Sequence, residues 1–158
     1  MVRGGTVGCG EGRLAAALRS ADNWTVQGLD TDPEKVALAR EHFRSLEADG
    51  RVSVTVFDGR SLPYADNLVN LLVVRQPSSV DVAECRRVLC PGGVMVSVSE
   101  DESEIIKQLV KPRPENIGQW THYLHGPDNN AVGSDQVVGP PRHLQWTAGP
   151  RYSRSHDH

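Results

Sequence analysis

A chain of 158 residues is long enough for one domain with a buried core, or for one small domain plus part of another. Its net charge of −3 is spread over mixed signs, which gives no basic signature for nucleic acid, and no apolar run approaches a membrane span. The start, Met1-Val2-Arg3-Gly4-Gly5, lacks the apolar core of a secretory signal; Cys9, Cys85 and Cys90 form no metal spacing and suit the reduced thiols of a cytoplasmic protein.

The chain opens with a very short strand, Gly5 to Val7, and a glycine turn, Val7-Gly8-Cys9-Gly10-Glu11-Gly12. A helix from about Gly12 to Ser20 follows, with Leu14, Ala15 and Leu18 on one face. Trp24 to Leu29 reads as the second strand. The second helix starts after Thr31-Asp32-Pro33, where either Thr31 or Asp32 can cap it and Pro33 is tolerated in the first turn. Its apolar face is Val36, Ala39, Phe43 and Leu46. Val52 to Phe57 is a third strand. Leu68 to Val74 is a fourth, apolar enough to be buried on both faces. A helix from about Val80 to Leu89 leads through Pro91-Gly92-Gly93 into a fifth strand, Val94 to Val98, and Asp101 to Val110 reads as a loop and short helix. Consecutive βα units predict an α/β fold, a Rossmann-like three-layer sandwich with a mainly parallel sheet of order 3-2-1-4-5.

Within that order the glycine turn sits between a strand and a helix, and Asp30 closes the next strand. Glycines let a backbone approach a ligand, and a carboxylate at that strand end can take two ribose hydroxyls. The spacing of Gly8, Gly10 and Gly12 is G-x-G-x-G, whereas a dinucleotide fingerprint would need a glycine where Arg13 stands, and no G-K-[ST] phosphate cradle is present. The pattern fits a nucleoside-like ligand without a pyrophosphate, or a tight turn that binds nothing. Asp30 is read either as the ribose carboxylate or as a charge at a helix N-terminus. Asp58, ending the third strand, can accept a bond from an exocyclic amine such as adenine N6, or simply form an Asp-Gly turn with Gly59.

Four blocks in order resemble class I S-adenosylmethionine-dependent methyltransferases of the type 11 group: Val7-Gly8-Cys9-Gly10-Glu11-Gly12; Gly28-Leu29-Asp30; Asp58 with Leu62-Pro63-Tyr64; and Arg87-Val88-Leu89-Cys90-Pro91-Gly92-Gly93. The resemblance spans about residues 5 to 100. It implies S-adenosyl-L-methionine as cofactor, with Gly8, Gly10 and Gly12 on its methionine part, Asp30 on the ribose and Asp58 on the adenine. Cys9, Thr31 and Gly59 join the candidate cofactor set as neighbours of these positions. Three departures stand out. Thr6 replaces the acid usual two residues before the first glycine, Asn70 replaces an acid often found in the fourth strand, and no final antiparallel hairpin is evident. No residue reads as a general base; Arg75, at the exit of the fourth strand, reads as a holder of an anionic acceptor or as a solvated loop residue, and His42 as a surface residue.

Composition changes near residue 111. Beyond it lie six of the ten prolines, five of the six histidines and two of the three tryptophans. The predicted division is therefore 1–110, methyltransferase-like, and 111–158, an irregular arm. The segments Trp120 to Val132, Val138 to Trp146 and Ser153 to His158 resemble the lead-in to a PQQ-like β-propeller, which would be a covalently linked partner. His122 with His125, and His156 with His158, have short spacings that could suit a metal, but no C-x-x-C or H-E-x-x-H accompanies them, and no metal is assigned. The other reading is a docking arm whose Trp120, Tyr123 and Trp146 cover an apolar surface. Three functions remain open at this point: a methyltransferase acting on an unknown, small-molecule or other, acceptor; a catalytically degenerate scaffold beside a propeller; and a nicotinamide-dependent oxidoreductase, against which the glycine spacing argues.

Overall fold

The computed structural model describes residues 2–19, 23–46, 50–118, 121–130, 132–133 and 135–136. Nine elements run β1 (Val2–Val7), α1 (Arg13–Ala17), β2 (Trp24–Asp30), α2 (Pro33–Ser45), β3 (Val52–Val56), β4 (Val69–Arg75), α3 (Val82–Val88), β5 (Leu89–Val98) and β6 (Ile105–Val110) among the described residues. They form a six-stranded sheet of order β3-β2-β1-β4-β5-β6. All pairings are parallel except β5 with β6. The predicted Rossmann-like sheet is thus present, with its order extended by one antiparallel strand. The region Asp101 to Val110, read from sequence as loop and helix, supplies that strand.

Alternation along the strands sends side chains to two cores. On one face Val26, Val52 and Val54 meet Ala15 of α1 and Val36, Ala39 and Phe43 of α2. On the other, Val7, Leu29, Leu72 and Val74 meet Cys85 and Val88 of α3 together with Leu62. Helices on both faces of a mostly parallel sheet make the three layers. Asp32 caps α2, its side chain accepting from the Glu34 amide at 2.9 Å, with Pro33 in the first turn. Leu46, expected on the buried face of α2, is 48% exposed because the helix ends there.

Strand β1 begins three residues earlier than predicted. Gly4 and Gly5 are strand residues whose missing side chains leave room for larger neighbours. A Cβ on Gly4 would contact the Trp24 ring at 3.6 Å, and one on Gly5 would lie 3.1 Å from the Tyr64 hydroxyl. Strand β5 likewise begins at Leu89, which pairs with Val69; pairing resumes at Val94 with Leu71. Cys90 to Gly93 therefore bulge out opposite Asn70, whose amide nitrogen lies 3.2 Å from the Cys90 sulfur.

Two cations fix the connections on the α3 side. Arg87 donates to the Leu62 and Tyr64 carbonyls and pairs with Glu84 and Asp66, while Glu84 accepts from the Leu62 amide. This clamp holds the segment after Asp58 against α3. Lys111 donates to the carbonyls of Arg86 and Leu89, which fall at the end of α3, and to Asn67. The chain divides into two compact units, Met1–Arg113 and Pro114–His158. In the second unit His122 and His125 form an isolated antiparallel bridge, and Tyr123, expected to cover an apolar surface, is 93% exposed. Trp120, His143, Trp146, His156 and His158 lie outside the described residues.

The Arg87 guanidinium holds the Glu84 carboxyl down at about 2, from an ordinary 4.5. A carboxyl depressed by folding adds stability above its unfolded pKa and loses it as pH falls through the folded one. The unfolding free energy of the wild type should exceed that of Glu84→Gln at neutral pH. The gap should close between pH 4.5 and about 2, as read by urea titrations across that range.

Candidate cofactor cleft

The carboxyl ends of β1, β2, β3 and β4 meet at one edge of the sheet, where ligands bind in open α/β folds. Asp30 ends β2 there and is 6% exposed. One of its carboxylate oxygens accepts from the Gly10 amide at 2.9 Å, and the other from the Asp32 amide at 3.1 Å. The turn is further tied to β2 because the amides of Gly8 and Cys9 both donate to the Leu29 carbonyl, at 2.8 and 3.1 Å. Gly8 and Gly10 adopt φ of 72° and 53°, a region that side chains rarely enter.

The glycines differ in what they face. A Cβ on Gly10 would lie 2.9 Å from the Arg75 guanidinium, and one on Gly8 would lie 3.3 Å from the Arg75 Cβ. A Cβ on Gly12 would instead strike the Phe43 ring at 2.7 Å. Gly12 is the residue through which α1 packs on α2. Gly28, part of the second sequence block, makes room for the Cys9 side chain, whose sulfur would be 3.0 Å from a Cβ there. Cys9 is buried, and desolvation first, then the neighbouring Asp30 charge, pushes its thiol up to about 12. It is packing, not a nucleophile.

Two clefts flank Arg75. The smaller, about 130 Å³, is lined by Gly8, Asp30, Thr31, Phe57 and Gly59, with Pro77 to Ser79 from the loop after β4. Gly59 approaches Thr31 closely: a Cβ on it would be 3.0 Å from the Thr31 methyl. The larger, about 560 Å³, is lined by Cys9 and Gly10 with Lys35, Arg75 and Glu102. Of the eight residues picked out in the sequence, four border the first cleft and two the second. Gly12 and Asp58 border neither. Asp58 is exposed and accepts from the amides of Arg60 and Ser61 at 2.8 and 2.7 Å, bonds that lower its pKa. Its side chain shapes the turn that presents Gly59.

Arg75 is not a solvated loop residue. It ends β4, its side chain is 26% exposed, and it forms an ion pair with Glu102 over the glycine turn. Glu102, 27 residues away in the β5–β6 turn, carried no local sequence signal. Asn70 lies at the opposite end of β4, where its side-chain oxygen accepts from the Arg3 amide at 2.9 Å. It stands far from the cleft edge, so its identity bears on strand pairing rather than on the site. Among the described residues, no group of three or more His, Cys, Asp or Glu side chains gathers as a metal-holding cluster.

Comparison with known proteins agrees with this geometry. Residues 6–93 match the family described as "Methyltransferase domain". The chain is 36% identical over 93 residues to the methyltransferase GfsG of Streptomyces halstedii, covering 55% of this chain and 34% of that protein. It thus spans about a third of the length of that relative. The geranyl diphosphate C-methyltransferase of Streptomyces coelicolor A3(2), solved with S-adenosyl-L-homocysteine, superposes with a TM-score of 0.58 at 20% identity, over 63% of this chain and 38% of that one. The cyclase SpnF superposes with a TM-score of 0.53 at 30% identity, over 61% and 38%.

Replacing Asp30 by Ala removes the acceptor for two backbone amides at a buried position. We expect a loss of about 1–3 kcal/mol of unfolding free energy in urea. The loss should exceed that of Asp58→Ala, whose amide partners face solvent.

Proposed function

The chain belongs to the methyltransferase domain family, and we propose that it binds S-adenosyl-L-methionine across its glycine turn and passes the methyl group to an acceptor. The observation that carries this reading is the buried Asp30 carboxylate, hydrogen-bonded to the glycine turn and bordering a cleft at the sheet's carboxyl edge. The residues present fit such a group. Gly8 and Gly10 keep bare backbone where a side chain would meet Arg75, and Arg75 Nε is buried without a partner among the described residues. Gly8, Cys9 and Gly10 would hold the methionine end, and Asp30 the ribose hydroxyls. Thr31, Phe57 and Gly59 would border the adenine, with Asp58 setting their turn.

When bound, the cofactor supplies a methyl group on a sulfonium centre, ready for in-line displacement. The chain's contribution is positioning and exclusion of water rather than proton transfer. The acceptor would enter past Pro77 to Ser79, which border the smaller cleft together with Asp30. The departure at Asn70 lends no support to a degenerate scaffold, because Asn70 lies at the end of β4 away from the cleft. The fold alone does not decide between chemistries, as the likeness to a cyclase illustrates.

We further propose a cytoplasmic setting. All three cysteines are free, and no described helix is long and apolar enough to cross a membrane. The propeller-like sequence of residues 111–158 supports a β-propeller as the covalently linked neighbour; the coding sequence flanking this chain tests this directly.

Isothermal titration with S-adenosylmethionine and S-adenosylhomocysteine checks the main reading. Saturable binding of both is expected, weakened by roughly 1–3 kcal/mol in Asp30→Asn, which loses a charge-assisted bond. Absence of heat at millimolar ligand would overturn the reading.

A further inference from the structure

The larger cleft contains a charge arrangement that the family resemblance does not assign. Arg75 arrives from the end of β4 and Glu102 from the β5–β6 turn, and their side chains pair directly over Gly10. Both are about three-quarters buried, at 26% and 24% exposure, and both line the cleft.

The turn that presents Glu102 is extensively hydrogen-bonded. Asp101 accepts from the hydroxyls of Ser99 and Ser103 at 2.6 and 2.9 Å, and the Ser99 hydroxyl accepts from the Glu104 amide at 3.0 Å. Glu102 itself sits at φ 62°. Among the described residues, the other non-glycine positions with positive φ are two asparagines and a histidine, types enriched in that region. A glutamate there is strained, and such strain persists where the side chain's placement matters.

A ligand carrying only a carboxylate would draw Arg75 away and strand a largely buried Glu102. A ligand carrying only an ammonium would strand Arg75. An uncompensated buried charge is costly, so a ligand bearing both charges is favoured over either single one. The free end of an α-amino acid bears both. Arg75 keeps a spare buried donor at Nε for it, among the described residues. Thr6, where an acid was expected, is 1% exposed and sits in the core beside Gly28, so the carboxylate for the ammonium has to come from another element.

We propose that Arg75 and Glu102 form a zwitterion clamp that takes the amino-acid end of the cofactor, Arg75 on the carboxylate and Glu102 on the ammonium. The proposal rests on the cofactor reading above. In the absence of ligand the two side chains satisfy each other, and on binding each exchanges its partner for the opposite charge of the ligand.

Calorimetric titration of the wild type with S-adenosylhomocysteine and with 5′-methylthioadenosine, which lacks the amino-acid end, tests the clamp without any variant. The first should bind at least about tenfold more tightly. In Glu102→Gln and Arg75→Gln that advantage should shrink toward unity. Equal affinities in the wild type would overturn the clamp while leaving the cofactor reading intact. So would variants that keep the full advantage, or that bind S-adenosylhomocysteine more tightly because the pair merely blocked the cleft. Binding of neither ligand by the wild type would overturn the cofactor reading itself, and the clamp with it.

Discussion

The site is organised by one buried carboxylate. Asp30 is the last residue of β2, and its two oxygens take the amides of Gly10 and Asp32. One bond fixes the turn after β1, and the other fixes the entry to α2, whose own cap is Asp32. Without an acceptor there, the Gly10 amide would point into the interior unpaired, a cost comparable to a lost buried hydrogen bond. The same carboxylate retains lone pairs for further donors and borders a cleft. On the proposed reading, structure and cofactor recognition would share one group: the carboxylate that fixes the turn would also read a ribose.

The remaining sequence blocks contribute at a distance. Gly12 lets α1 approach Phe43, and Gly28 makes space for Cys9 beneath the turn. Arg87 clamps the segment after Asp58 through two carbonyls and two carboxylates. Gly92, at φ 80°, sits in the bulge of β5 opposite Asn70. Several motif residues thus shape the cleft without bordering it, and Asp58 does so by holding the turn that brings Gly59 to Thr31.

Much of this was legible in the sequence because the signals are local. The strand-glycine-helix order, the apolar faces of the helices and the acid at the end of β2 each lie within a few residues. What was missed lacks a local signature. Strand β6 is exposed on both faces along nearly all its length, so Ile105, Ile106, Lys107 and Gln108 show no alternation to read. The middle of β1, Gly4-Gly5, is glycine because Trp24 and Tyr64 occupy the adjacent space, and glycine reads as loop. The Arg75–Glu102 pair joins the end of β4 to the β5–β6 turn, and nothing near either residue announces it.

The most direct measurement is an amide-resolved NMR titration of the protein with S-adenosylhomocysteine. If Asp30 and the glycine turn form the cofactor cradle, amide shifts should concentrate at Gly8, Gly10, Thr31, Asp32 and Gly59. Gly50 and Gly92, where an added Cβ would meet nothing within 4 Å and which border neither cleft, should stay still. Saturable shifts centred elsewhere, with the turn unmoved, would contradict the account.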